Sequence, residues 1–595
     1  MSELTAISPF DSILWTNHLP LDDEITAIQQ YLVTPKAEVA ALDEEIAQMQ
    51  TALKALQERR EALSHTVEIH QAVISPLRRY PDILQEVFQH CLPTAHDATM
   101  DSMEAPLALT HVCRYWRNLA LSTPSLWSSI FIYLPNTYQL EHTSPHGDTR
   151  ESTYLRLRTQ AQNGVTGVKE WLSRSGACPL SISFVEKSRA YEESFCELYL
   201  DAIRAFAPRW RRLVLSGQIQ SLDHFTTILL QEVPILEELA VIVDSSIITA
   251  PVSDIESNRW SYCGIIQAPS LNRVAITHPP EKIKGLQLRW SQMTHLSFEL
   301  ARTYSNNTLT PDETLEILRE CPNLVSIQVQ IGDDGGYYEF VNQDMVWQAA
   351  PSLLQRREAV IMHHLYHLSI HTTANLSQFF PLIQTPSLRE FSFFGPPVPW
   401  LGVSSALLFL SSVANLKRLS VNPHCFTLDQ LSYCLALCPI ITSLRFCTGF
   451  VEDGWFSGPG LTTLAQCNEE TMALITPSSE EGGGEYLCRC LENFQATTAL
   501  FTAQTLYNFI TARKQQARRG YPSLKTVRVS FDKPQDCDLL DALRDDTEIT
   551  TANPIAPPPV ENYLRSIARY PPYSTTAESR VFHQLDLKLF SLPIS

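Results

Sequence analysis

The densest set of groups able to do chemistry is the run His363-His364-Leu365-Tyr366-His367-Leu368-Ser369-Ile370-His371. On a helix, His363 and His367 would lie one turn apart, a spacing that suits two ligands of one metal ion. Leu368 and Ile370 alternate instead, which predicts a strand with His367, Ser369 and His371 together on its exposed face. No acid or thiol stands beside them in sequence to complete a ligand set. Arg418 and Arg445 form a second pair of interest. A guanidinium is a planar fork that holds carboxylate or phosphate through two hydrogen bonds. The chain contains no Gly-x-Ser-x-Gly elbow, no His-Glu-x-x-His and no Gly-x-x-x-x-Gly-Lys loop. Its carboxylates form no recognisable acid–base pair, and its close cysteines, Cys434 with Cys438 and Cys488 with Cys490, lack zinc-site spacing. The expectation is a binding protein, with no catalytic residue, metal or cofactor.

These groups must be positioned by a recurring unit, apolar-x-x-apolar-x-apolar, often led by proline. It appears as Pro234-Ile235-Leu236-Glu237-Glu238-Leu239-Ala240-Val241 and as Pro386-Ser387-Leu388-Arg389-Glu390-Phe391-Ser392-Phe393. Further copies begin at Trp210, Leu271, Met293, Leu324, Leu365, Leu416, Ile441 and Leu524. The last two apolar residues alternate, so they share one face of a short strand, and neighbouring units must stack to cover a core that none can bury alone. Helical stretches such as 194–206 and 428–437 lie between units. This pattern resembles the leucine-rich repeat. The phase turns Ala240, Ile242 and Ala275 outward, with His367, His371, Phe394, Arg418 and Arg445. Leu416 and Ile441 lie 25 residues apart, one repeat, so Arg418 and Arg445 project from neighbouring strands. Hot spots favour aromatics and arginine, which makes Phe394, Arg418 and Arg445 the leading target-binding candidates, with His367 and His371 beside them. Insertions are expected at 332–351 and 451–485.

Ahead of the repeats, Tyr80-Pro81, Ile83-Leu84 and Val87-Phe88 form a wide apolar stripe on a helix that Pro81 can open. Leu109, Val112, Cys113, Trp116 and Ala120 predict one face of a second helix, and Leu126-Trp127 follows. Val112-Cys113-Arg114-Tyr115-Trp116 and the Leu-Trp pair complete a set that resembles an F-box. With Ser75-Pro76-Leu77-Arg78-Arg79 in front, it is similar to F-box proteins of mushroom-forming fungi. Tyr80 departs from the family's usual Leu, and 93–106 is longer than its usual link. The resemblance implies that Pro81, Ile83, Leu84, Val87, Phe88, Val112, Trp116, Leu126 and Trp127 bind a Skp-type adaptor and, through it, a cullin. The repeats would then hold a target protein for a ubiquitin ligase. The alternative is a scaffold outside any ligase, dimerising through its N-terminal helix.

That helix carries Val39, Leu42, Ile46, Met49, Leu53, Leu56, Leu63 and Val67 at alternating spacings of three and four, with Arg60 at the skipped position. Such heptads suit either a homodimeric coiled coil or a helix folded back on its own chain. Thr34-Pro35 is expected to end a shorter helix before it. Net charge is −19, which argues against nucleic-acid binding. The N-terminus lacks a signal-peptide pattern and no apolar run is long enough to span a membrane, so cytosol or nucleus is expected. The whole reads as mixed α/β. The parts are an N-terminal segment (1–35), a coiled-coil helix (36–73), an F-box (74–128), an irregular repeat array (129–531) and a proline-rich tail (532–595).

Overall fold

A computed structural model describes residues 8–14, 16–73, 79–135, 150–186, 195–243, 259–277, 283–299, 308–332, 337–341, 344–348, 358–372, 374, 376–395, 403–447, 465–477, 486–531 and 548–552. Two compact units are present, Met1–Val87 and Phe88–Ser595. In the proline-rich tail, 562–568 suits a short helix and Leu585-Asp586-Leu587-Lys588-Leu589 alternates like a strand; both lie outside the described residues.

In the first unit one helix, α1, runs without interruption from Asp22 to Val73. Asp22, Asp23 and Glu24 occupy its first turn, where the helix dipole favours acids. Glu24 accepts hydrogen bonds from the His18 ring and, second, the Leu21 amide, which hold its carboxyl below the usual range. The break expected at Pro35 does not occur. Proline removes one amide donor, and in a helix of 52 residues the remaining ladder carries the chain through. All eight heptad residues are exposed, from 48% at Ile46 to 64% at Leu56.

α2 spans Pro81–His90, and its broad stripe divides. Leu84 and Phe88 are fully buried, while Ile83 and Val87 are exposed at 52% and 38%. The expected second helix is two: α3, Leu107–Val112, and α4, Arg114–Leu121. Cys113 between them is extended, and its sulfur accepts the Trp116 amide as an N-cap. The break dissolves the predicted common face. Leu109 and Ala120 are buried, whereas Val112 is 60% exposed.

The second unit is built on a parallel sheet of fourteen strands in sequence order. β1 to β7 are Ser129–Tyr133, Leu180–Val185, Trp210–Gly217, Glu238–Val243, Arg273–Thr277, His295–Glu299 and Ser326–Ile331. β8 to β14 are His367–Thr372, Glu390–Phe394, Arg418–Val421, Ser443–Phe446, Asn493–Ala499, Thr526–Phe531 and Glu548–Ala552. Leu239, Val274, Leu296, Ile327, Leu368, Phe391, Leu419 and Leu444 align across eight strands, and all are buried. The alternation and phase read from the repeats therefore hold. Residues just before the strands continue the ladder: the Tyr366 amide donates to Val325 O at 2.8 Å, Arg389 to Tyr366 O at 2.9 Å and Lys417 to Arg389 O at 2.8 Å. Helices lie between successive strands. Thr310 and Thr427 cap two of them, at Pro311–Glu320 and Leu428–Ala436, each closing a capping box. The first insertion contains a hairpin, Tyr337–Val341 with Asp344–Gln348, and the second a helix, Glu469–Ile475. The array also reaches past Phe531, because β14 pairs with β13.

Segment 93–106 closes the first edge of the sheet. The Phe131 amide of β1 donates to Ala98 O at 2.8 Å, and the Ala98 amide donates to Ser129 Oγ at 3.1 Å. Trp127 stands three residues ahead of Ile130 and acts as the entry residue of the first repeat. It is fully buried, its ring centroid is 4.8 Å from that of Trp171, and its Nε1 donates to Ala120 O at 2.8 Å.

Candidate functional site

On the sheet face opposite the leucine core, residues of equal register form rows about 4.8 Å apart from strand to strand. The first row carries Ser181, Arg212, Glu238, Arg273, His295, Ser326, His367, Glu390 and Arg418. Its beginning is a ladder of opposite charges. Asp97, from the edge-closing segment, is buried and accepts from Ser129 Oγ at 2.9 Å, Ser181 Oγ at 2.7 Å, Ser183 Oγ at 2.5 Å and Arg212 Nη1 at 3.0 Å. Arg212 also meets Glu238 at 3.5 Å, and Glu238 meets Arg273 at 2.9 Å.

This face is not uniformly open. Val214, Ala240, Ile242 and Ala275 form a buried cluster on β3 to β5, although the phase alone turned the last three toward solvent. Ala240 and Ala275 stand level on β4 and β5, and the four together make a second apolar patch.

Farther along, Ser326, His367 and Glu390 stand level on three successive strands, and Ser326 Oγ lies 2.8 Å from His367 Nδ1. A nucleophile, base and acid would stand in such an order. The chemistry does not fit. Burial, helped by Arg418, pushes the His367 imidazole down to about 4, too weak a base to take a serine proton. The Glu390 carboxylate turns to Arg418 Nη1 at 2.8 Å. Burial raises that carboxyl, and the guanidinium opposes the rise. His371 and Phe394, also level, lie with ring centroids 4.5 Å apart and planes tilted by 47°, and burial holds His371 at about 4. Both histidines are half-buried and Ser369 is buried, so the expected exposed face is largely covered.

The more open part begins at β10. Arg418 is exposed, and Arg445 follows on β11 level with Ser420. The Arg445 Nε is buried and has no hydrogen-bond partner among the described residues. Gln495 and then Arg528 continue its row, and Arg528 is exposed. Sequence reading paired Arg418 with Arg445 but passed over Arg528, whose repeat has the same apolar-x-x-apolar-x-apolar signature and could have supplied it.

The other candidate set divides between surface and interior. Pro81, Ile83, Val87 and Val112 are exposed and Trp116 is half-buried, its ring centroid 4.9 Å from that of Phe88. Leu84, Phe88, Leu126 and Trp127 are interior residues, which corrects their expected place on a contact surface. They support the local fold, and only the exposed members are available to a partner.

Among the described residues no helix is long and apolar enough to cross a membrane. None of the thirteen described cysteines is in a disulfide. No family model and no curated protein matches the chain. Among solved structures, the chain is similar to one described as the crystal structure of a TLR13–ssRNA13 complex, with 10% identity and a TM-score of 0.28. The match covers 64% of this chain and 44% of that one, so the chain spans less than half the length of that neighbour. A likeness of that size carries no argument about function.

Proposed function

We propose that the chain is a substrate-recruiting subunit of a Skp–cullin–F-box ubiquitin ligase, binding rather than transforming what it recognises. In this reading α2 and the α3–α4 segment hold the Skp-type adaptor, and the outward strand face from β9 to β13 holds a target protein. The observation that carries the reading is the divided stripe of α2. With Leu84 and Phe88 already buried, the exposed Ile83 and Val87 are left as apolar surface in a segment whose residues resemble an F-box. Cytosol or nucleus is the compartment this role requires.

The test is Ile83→Asp with Val87→Asp, followed by pull-down of the adaptor. Both positions are exposed, so the fold should survive. At a dry apolar interface each new carboxylate would be buried unpaired at a cost of several kcal/mol, and capture should be lost. Undiminished capture would reject this surface. Arg418→Glu with Arg445→Glu should leave the adaptor bound and remove a subset of the other captured proteins. An unchanged set would remove the arginines from the target site.

A further inference from the structure

We propose that α1 forms an antiparallel two-stranded coiled coil with a second copy of this chain. Its heptads place Val39, Ile46, Leu53 and Val67 at a positions, with Arg60 as the fifth. Leu42, Met49, Leu56 and Leu63 take the d positions. A β-branched residue at most apolar a positions with mainly leucine at d favours two strands in parallel coiled coils, so the direction of the pair has to come from the charges. Every one of the eight apolar side chains is about half exposed or more. Covering roughly 100 Å² on each would remove about 1,600 Å² from two helices, the size of a standard stable interface. The helix is long enough for this. At 1.5 Å per residue, the stretch from Val39 to Val67 covers about 42 Å.

The charges beside the seam choose the direction. In a parallel pair in register, Arg60 would face Arg60 across an a layer. Glu38 at g would also face Asp43 at e on both sides of the seam, and like charges at these positions oppose pairing. No opposite-charge pair would compensate, because Glu45 would face Gln50 and Arg59 would face Ser64. An antiparallel pair set so that Ile46 packs opposite Leu56 of the second copy removes each of these conflicts. Leu53 then meets Met49, Val39 meets Leu63, and Arg60 lies over Leu42 with its guanidinium free to reach solvent. Glu45 of each copy faces Arg59 of the other, giving two opposite-charge pairs. The remaining central flanks, Gln50 with Gln57 and Asp43 with Ser64, carry no repulsion.

The full chain should sediment at twice 67.2 kDa at micromolar concentration, and Leu53→Asp with Leu56→Asp should return it to the single mass. Glu45→Arg should weaken the dimer about tenfold by converting two surface attractions into repulsions. Adding Arg59→Glu should restore it. The two positions are fourteen residues apart in one helix and cannot meet within a copy, so rescue requires the antiparallel pair. A monomeric wild type would overturn the proposal. So would a dimer indifferent to the seam aspartates, or charge variants without loss and rescue. Far-ultraviolet circular dichroism of each variant identifies any that has lost its helix, and Leu42→Ser with Leu63→Ser then serves as a milder disruption of the same seam, with dimer loss again expected.

Discussion

Replacing Asp97 with alanine should loosen the first units of the sheet. Four donors converge on its carboxylate: three serine hydroxyls from β1 and β2, and the Arg212 guanidinium. A hydrogen bond to a charged group contributes about 1.5–3 kcal/mol. These four do not add, because removing the carboxylate also removes its own desolvation cost and the serines find partial alternatives. Breaking a buried charged pair by deleting one partner costs about 3–5 kcal/mol. Arg212 retains Glu238 at 3.5 Å, so it is not stranded, and the expected loss lies near the lower end, about 3 kcal/mol. Asp97→Asn keeps the volume and one acceptor oxygen but aims an amino group at donors, and should cost about 2 kcal/mol. The assay is urea denaturation of the full chain, with exchange of the Phe131 amide as a local reporter, since it donates to Ala98 O. Glu197→Ala, at an exposed position, is the control and should change stability by under about 0.5 kcal/mol. If Asp97→Ala matches that control and Phe131 protection is intact, the carboxylate does not fasten the edge.

Acid should weaken the strand face before it titrates most carboxylates. His295, His367 and His371 sit at about 4 in the fold, chiefly through burial, against about 6.5 unfolded. The unfolded chain therefore binds protons between those values that the folded chain refuses. The stabilisation is present above pH 6.5 and declines as pH falls toward 4, by up to about 3 kcal/mol per histidine. His367→Asn with His371→Asn should flatten the midpoint-versus-pH curve across that window, and an unchanged slope would contradict the assignment. Arg513 is 2% exposed and donates to Cys488 O at 2.8 Å, Ile475 O at 2.6 Å and Leu487 O at 3.1 Å. Lysine cannot reproduce that fork, so Arg513→Lys should cost about 2–3 kcal/mol in urea denaturation. A loss below about 0.5 kcal/mol would show that the carbonyls find other donors.

The repeat core was legible because alternation in a strand admits only two faces, and Leu-x-x-Leu-x-Leu names the buried one. Units that lack the signature were passed over. In β12 the third apolar place is Ala496, and in β14 Ile549 is flanked by Glu548 and Thr550. In the first repeat, Trp127 could be read as the end of the module before it, although it serves as the repeat's entry residue. Exposure on the outward face was less legible, since it depends on neighbours 22 to 35 residues away. Ile242 is apolar and buried there, while Arg418 at an equivalent phase is exposed. The break at Cys113 was missed because helical periodicity does not register a single extended residue. The exposure of the α1 heptads was beyond sequence reading, because the same spacing suits a helix packed within its own chain.

The row of charges across the sheet has a consequence for how such a chain can change over generations. Arg212 and Glu238 are 26 residues apart, Glu238 and Arg273 are 35 apart, and Glu390 and Arg418 are 28 apart, yet each pair is in contact. Pairing register fixes these neighbours, so a connecting loop can gain or lose residues without separating them. Substitutions, by contrast, are tied. A reversal of sign at Glu238 places repulsion on both sides at once, and its tolerated replacements depend on what Arg212 and Arg273 have become. Loop length should therefore drift freely among descendants of this chain, while charges at distant positions change sign together.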